Sequence, residues 1–283
     1  MKITVLGSSG QIGSYLTEYL RSKNYFVREF DIINSQDQDM THIPNVYLRN
    51  AIMDSDFVFF LSFDVGGSHY LKKYQHTFQF INNNTRMMAN TFALLEKYRK
   101  RFVFASSQMS NMSYSPYGVM KRVGELHTTA LNGLIVKFWN VYGIENDMEK
   151  AHVITDFIRK GFEEGEFEMM TDGTEERQFL YAEDCCEALE TVMENYTDFK
   201  PEDPLHITSF HSTSIKDVAQ IIQGCFNRIN RMDVKIKPGL AKDSVQMDKR
   251  NEADNYIMSW WLPKTGIEAG INKVFDEMKK NYE

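Results

Sequence analysis

The chain of 283 residues has little cysteine: Cys185, Cys186 and Cys225, two of them adjacent and none in a CxxC spacing. That pattern gives neither a disulfide framework nor a zinc site, so the thiols are read as reduced. No run of lysine or arginine occurs, and the formal net charge is −7. Binding of nucleic acid through phosphate neutralisation is therefore not expected, although a local basic pocket for one diphosphate stays open. Long apolar runs are missing as well. The opening MKITVLGSSG reaches glycine after six residues, too short for a signal peptide or a membrane span. The expectation is a cytoplasmic protein with no membrane partner. There is no internal repeat and no low-complexity tract. A hydrophobic fraction of 42% suits a globular chain, long enough for one large domain or a main domain with a smaller one.

What is present is an alternation of strand and helix patterns. Ile3 to Leu6 reads as a buried strand, Gln11 to Lys23 as a helix, and Tyr25 to Phe30 as a second strand. Asp56 to Phe63, Arg101 to Ala105 and Leu134 to Phe138 read as further strands, with helices over Phe78 to Arg99 and Ser115 to Leu131. This order predicts an α/β fold: a Rossmann-type doubly wound parallel sheet with helices on both faces. After about Asn140 the pattern loosens. Helices are expected over Ala151 to Glu164, Ala182 to Glu194, Ile215 to Phe226 and from about Ile267, with a turn-rich stretch over Thr171 to Arg177. The expected division is a dinucleotide-binding domain over 1–145, to which 178–196 returns, and a smaller, partly interleaved α/β substrate domain over 146–283.

Gly7-Ser-Ser-Gly10-Gln-Ile-Gly13 lies between the first strand and the first helix. Glycines allow a tight turn and close approach of backbone to a pyrophosphate, and the helix amino terminus offers free N–H groups. The second strand ends at Asp31, 18 residues beyond Gly13. A carboxylate there can accept bonds from both ribose hydroxyls and would repel a 2′-phosphate, which favours NAD over NADP.

The stretch SSQMSNMSYSPYGVMK supplies a second set of groups. Ser115 and Pro116 suit the start of a helix. Tyr117 and Lys121 are then one turn apart on one face. A nearby ammonium lowers a phenol's pKa, and a phenolate can take a proton from a sugar hydroxyl while hydride leaves the same carbon. Ser107, at the end of FVFASS, can hold that oxygen. Ser107, Tyr117 and Lys121 are the candidate catalytic groups for reversible alcohol–ketone oxidation.

These motifs resemble, over nearly the whole chain, the extended short-chain dehydrogenase/reductases of the NAD-dependent epimerase/dehydratase family, which act on nucleotide sugars. The resemblance is carried by the GSSGQIG loop, Asp31, FFLSF, FVFASS, YGVMK, KFWNVYGIE, HVITDFIRKG and DGTEERQFLYAEDC. It implies that Gly7, Gly10, Gln11, Ile12 and Gly13 contact the NAD pyrophosphate and Asp31 the adenosine ribose. Leu61 and Ser62 would line the cofactor cleft, and Asn84 would support the lysine or nicotinamide side. Asn140, His152 and Arg177 would bind a nucleotide-diphosphate sugar. FDVGGSHY, Phe63 to Tyr70, resembles a glycine-containing loop of mannose 3,5-epimerases, or is a surface loop. The family commonly forms homodimers through a four-helix bundle of the Phe78–Arg99 and YxxxK helices. Met87, Met88, Phe92 and Leu95 would suit that interface or equally the core.

Three departures from the family stand out. Gln108-Met109 sits where dehydratases carry acids and 3,5-epimerases a cysteine, and neither residue ionises. Proton abstraction from carbon beside a ketone needs a base there, so redox chemistry alone is favoured. Nine residues separate Ser107 from Tyr117, a short loop for the family, and Gln178 follows Arg177 where aspartate is usual. The expected function is an NAD-dependent nucleotide-sugar epimerase or oxidoreductase acting at sugar C4. The alternatives are an NDP-4-keto-sugar reductase, an NDP-sugar dehydrogenase, or a non-catalytic dinucleotide sensor.

Overall fold

A computed structural model describes residues 1–145, 147–231, 233–241 and 251–283. Its first half alternates strand and helix: β1 (Lys2–Leu6), α1 (Gln11–Ser22), β2 (Phe26–Phe30), α2 (Val46–Met53), β3 (Phe57–Phe60), α3 (Ser68–Tyr74), α4 (Phe78–Tyr98), β4 (Arg101–Ser107), α5 (Pro116–Ala130) and β5 (Leu134–Phe138). Then follow β6 (Asn140–Tyr142), α6 (Val153–Glu163), β7 (Glu166–Glu168), β8 (Glu176–Tyr181), α7 (Ala182–Glu194), β9 (Leu205–Ile207), β10 (Ser212–Ser214), α8 (Ile215–Arg228), β11 (Lys235–Lys237) and α9 (Ile267–Lys279).

The main sheet has six strands in the order β2-β1-β3-β4-β5-β9. Every neighbouring pair in it is parallel. Its strands are apolar on both sides, as a sheet covered twice requires. Phe57 and Phe59 join Ile3, Val5, Leu16, Leu20, Cys186 and Leu189 in a core under α1 and α7. Val58 and Phe60 point the other way, into a core with Leu48, Ile52, Met88, Phe92, Leu95 and Met120 under α2, α4 and α5. Met88, Phe92 and Leu95 are thus core residues, and Met87 packs against them.

A second lobe is built on Tyr142, Ile154, Phe157, Phe179, Val218, Phe226 and Phe275, drawn from β6, α6, β8, α8 and α9. It carries a three-stranded sheet, β10-β8-β6, and the β11-β7 pair. The chain crosses between lobes more than once: α7 and β9 lie in the first core, α8 lies in the second, and β8 gives Leu180 to the first and Phe179 and Tyr181 to the second.

Several local expectations need adjustment. The DFVFFLSF strand stops at Phe60, because its last ladder partners are Leu6 and Phe104 and the chain then turns across the sheet end. The FVFASS strand runs on to Ser107, paired with Phe138. FDVGGSHY is half loop and half helix, since α3 starts at Ser68. Ser115 caps α5, its Oγ accepting from Gly118 N at 3.2 Å, with Pro116 in the first turn. Among the described residues no helix is long and apolar enough to cross a membrane.

Candidate active site

β1 has β2 on one side and β3 on the other, so the chain's direction of travel reverses there. The carboxyl ends of β1 and β3 open a crevice at such a switch point. The glycine loop fills it. Gly7 has φ +86°, and a Cβ on it would lie 2.7 Å from Ser62 N. A Cβ on Gly13 would lie 2.0 Å from Gly7 O, so α1 enters directly against the turn. Gly7 N donates to Phe30 O at 2.8 Å, and Leu61 N donates to Leu6 O at 2.9 Å. Ser9 N donates to Asp31 Oδ2 at 3.0 Å, and Ile33 N to Asp31 Oδ1 at 3.0 Å. The ends of three strands and Asp31 are thereby held together around one turn.

Gly10 caps α1 with no side-chain hydrogen bond, leaving first-turn N–H groups open. Gln11 Nε2, behind it, is buried with no protein partner. An orphaned donor at a bare helix amino terminus, beside a loop with no room for a side chain at Gly7 or Gly13, fits a dinucleotide's phosphates. Ile12 and Leu61 are partly buried against the core, and Ser62 is half-buried. Asn84 is wholly buried: its Oδ1 accepts from Asp64 N at 2.8 Å and its Nδ2 donates to Asp64 O and Phe80 O. It fixes the chain that follows Ser62.

Ser107, Tyr117 and Lys121 come together where β4 meets α5, and all are buried. Ser107 Oγ accepts from Met109 N at 3.1 Å, and its hydroxyl is the polar group that acts on the Tyr117 phenol. Lys121 Nζ donates to Ala105 O at 2.6 Å and stands 3.8 Å from the centre of the Phe63 ring. Phe63 meets Tyr117 edge-on, with ring centres 5.7 Å apart. It therefore joins the serine–tyrosine–lysine group to the end of β3, next to the glycine loop.

Burial dominates the electrostatics here. It pushes the Tyr117 phenol up to about 12, opposed by the Ser107 hydroxyl. It pushes the Lys121 ammonium down to about 7, opposed by the charge of Glu125. The lowering of the phenol argued from the ammonium alone is thus outweighed by desolvation.

The remaining predicted residues line the second lobe. Asn140 Nδ2 donates to Gln178 O at 3.4 Å, and the Gln178 side chain accepts from Thr208 Oγ1 at 3.0 Å. Arg177 lies opposite Thr213 in β8, and its Nη1 donates to Glu176 O at 2.8 Å. His152 Nδ1 is 2.7 Å from Glu145 Oε1, and His152 N donates to Glu145 Oε2 at 2.7 Å. Burial works to lower the imidazole, but the Glu145 carboxylate outweighs it and holds His152 above the usual histidine value. A Cβ on Gly67 would lie 2.5 Å from Ala151 O, so the FDVGGSHY loop packs on the segment that carries His152.

Sequence reasoning missed Phe63, Glu125, Glu145 and Asn251. Asn251 Nδ2 donates to Gln108 O at 2.6 Å and Gln108 Oε1 at 2.5 Å, tying a distant segment beside Ser107. Nothing local in the sequence announces that contact. Glu125 stands one turn beyond Lys121, which is the one local signal the sequence offers for it. Among the described residues no three His, Cys, Asp or Glu side chains gather as metal ligands would.

The model of the NAD dependent epimerase/dehydratase family matches residues 3–207. The chain belongs to that family. NAD is its cofactor, in keeping with the glycine loop and Asp31. Among relatives, the GDP-mannose 3,5-epimerase 1 of Oryza sativa subsp. japonica is 26% identical over 331 residues, covering 100% of this chain and 83% of that protein. A putative UDP-glucose 4-epimerase of Methanocaldococcus jannaschii is 25% identical over 319 residues, covering 99% of both. The match to a GDP-L-fucose synthase of Sinorhizobium fredii, 29% identical, spans 50% of this chain and 45% of that protein. The structure of the UDP-glucose 4-epimerase of Thermotoga maritima superposes with a TM-score of 0.80 at 17% identity, covering 100% of both chains, which shows the shared fold.

Proposed function

We propose that the protein oxidises and reduces a nucleotide-diphosphate sugar at C4, and that epimerisation is the net result. The carrying observation is the buried grouping of Ser107, Tyr117 and Lys121 joined through Phe63 to the end of β3. NAD, when bound, supplies the hydride acceptor and donor. Tyr117 Oη is the group that takes the proton from, or gives it to, the sugar oxygen. Ser107 orients that oxygen, and Lys121 supplies positive charge beside the phenol. Asp31 and the open first turn of α1 would hold the dinucleotide. Asn140, His152 and Arg177, on the second lobe, would face the nucleotide-sugar. The relatives named for UDP- and GDP-sugars support that substrate class.

A second reading is favoured by one observation. Burial keeps Tyr117 protonated, up to about 12. A protonated phenol is the donor that reduction of a 4-keto-sugar requires, so a one-way reductase uses the same site. The two readings differ in cofactor handling. An epimerase recycles its cofactor within each turnover and should release near-stoichiometric NAD or NADH when the purified protein is denatured; a reductase should exchange it freely.

The Tyr117→Phe change tests both. It should lower turnover of UDP- or GDP-sugars by about 10²- to 10⁴-fold while NADH binding stays near normal. Wild-type turnover in that variant would remove Tyr117 from the chemistry. We also propose a homodimer through α4 and α5. Val119, Val123 and Leu126 form an exposed apolar stripe on α5, and Phe78 and Ile81 of α4 are exposed as well.

A further inference from the structure

Behind the tyrosine and lysine lies a charged cluster that the chemistry above leaves unused. Glu125, one turn beyond Lys121 on α5, is 1% exposed. A buried carboxylate is costly unless it is paired and hydrogen-bonded. This one is. Ser106 Oγ donates to its Oε1 at 2.6 Å, and Arg122 Nη1 to its Oε2 at 2.7 Å. Lys137 Nζ on β5, itself almost fully buried, lies 3.4 Å from Oε1.

Three pieces of chain therefore converge on one carboxylate: the end of β4, α5 and β5. Two of the attached residues adjoin the candidate catalytic groups directly. Ser106 precedes Ser107, and Arg122 follows Lys121. Around Lys121 the neighbours are the Ala105 carbonyl, the Phe63, Phe104 and Tyr117 rings, and Glu125 one turn on. Aromatic faces attract a cation only modestly. The formal negative charge nearest Lys121 along α5 is Glu125. On the far side of the cluster, His206 of β9 is opposite Lys137 in the sheet. Burial, helped by the Lys137 charge, lowers His206 to about 4, so it adds no cation at neutral pH.

We propose that Glu125 is a positioning residue: its carboxylate locks the end of β4 to α5 and sets a negative charge one turn from the Lys121 ammonium, without touching substrate or cofactor. The proposal rests on the reading of Ser107, Tyr117 and Lys121 given above. Burial works to raise the Glu125 carboxyl, but the bonds from Ser106 and Arg122 and the charge of Lys137 hold it below the usual glutamate value. It is an anion throughout the working range. Burial of both groups limits water's screening of its field on Lys121, while Arg122 and Lys137 offset part of that field.

The test is an NMR titration of lysine ε-methylene signals in the full-length protein with NAD bound. Lys121→Met identifies the Lys121 signal. Glu125→Gln keeps the shape and an acceptor for Ser106 but removes the charge, so a merely structural role would leave the titration alone. The expected result is a Lys121 midpoint lowered by ~1 pH unit. An unchanged midpoint in a folded Glu125→Gln protein overturns the proposal. Should that variant fail to fold, Lys137→Met is read instead. It removes the cation that competes for Glu125, so the Lys121 midpoint should rise, and an unmoved midpoint is again a refutation. The titration is read without turnover. Its failure removes the role of Glu125 alone, whereas turnover retained by Tyr117→Phe removes the catalytic reading.

Discussion

Two glycines of one loop should respond to the same methyl group in opposite ways. A Cβ on Gly13 would sit 2.0 Å from Gly7 O and 2.9 Å from Ser8 Cα, both unyielding backbone atoms. The turn would have to retreat by about 1 Å to reach ordinary contact, and overpacking of that kind costs ~1–3 kcal/mol. For a chain of this size that is a fall in Tm of ~2–12 °C. A Cβ on Gly10 meets only Gly7 O, at 3.4 Å, and the backbone there has φ −71° and ψ 169°, which alanine adopts freely. The small loss of N-cap preference is offset by a stiffer unfolded chain, so Gly10→Ala should leave Tm within ~2 °C. The methyl would instead project over the open amino terminus of α1. If phosphates dock there, Gly10→Ala raises the Kd for NAD by ~10- to 100-fold. The assay is a thermal melt with and without NAD at a fixed concentration near 100 times the wild-type Kd. Wild type gains about 2.7 kcal/mol from the ligand, and Gly10→Ala only ~0.4–1.4 kcal/mol. Full ligand stabilisation in Gly10→Ala would show that phosphates do not dock at this turn. An unshifted melt in Gly13→Ala would refute the close approach of α1.

Two further outcomes follow from the same geometry. Asp31→Ala should weaken NAD binding by at least ~10-fold, since hydrogen bonds to a charged acceptor contribute ~1.5–3 kcal/mol each, and should narrow the gap to NADP; equal NAD affinity in fluorescence titration would remove Asp31 from the site. Leu126→Glu should weaken self-association by ~10²- to 10⁴-fold, because a two-fold interface loses a buried leucine twice at ~1.5–3 kcal/mol each; sedimentation of this variant with an unchanged dimer mass would exclude the α5 face.

The parts of the fold that could be read from sequence were those with a strong local period. DFVFFLSF and RFVFASS read as strands because a doubly covered sheet needs apolar side chains on both sides. The long α4 and the YxxxK helix carried caps and periodicity together. Two short helices escaped. α2 is eight residues and α3 seven, too short for a helical stripe to declare itself, and α3 opens inside a glycine-containing loop. The candidate site divided in the same way. Gly7 and Gly13 were legible because backbone geometry at a strand end dictates residue type, and Asp31 because it ends the next strand with a carboxylate. Glu125 was not singled out, because a carboxylate in KRVGELH looks like a solvated helix face until Ser106 and Lys137 are seen to close over it. Asn251 was invisible for another reason: its partner Gln108 is 143 positions away.

The electrostatics of Tyr117 and Lys121 show why a motif is weaker than a site. In sequence, an ammonium one turn from a phenol argues for an easily ionised phenol. In the fold, the same helix turn is packed between Phe63, Phe104 and the end of β4, and desolvation acts on both groups toward neutrality. Only charges and dipoles brought in by tertiary structure can oppose it. Ser107 does so at the phenol, across nine intervening residues, and Glu125 does so at the ammonium, itself kept ionised by groups from β4, α5 and β5. A Ser107→Ala or Glu125→Gln change therefore acts on proton transfer through a different term from Lys121→Met. The serine and the glutamate alter how far burial is resisted, while the lysine removes the charge itself. Such effects on one coupled group do not add.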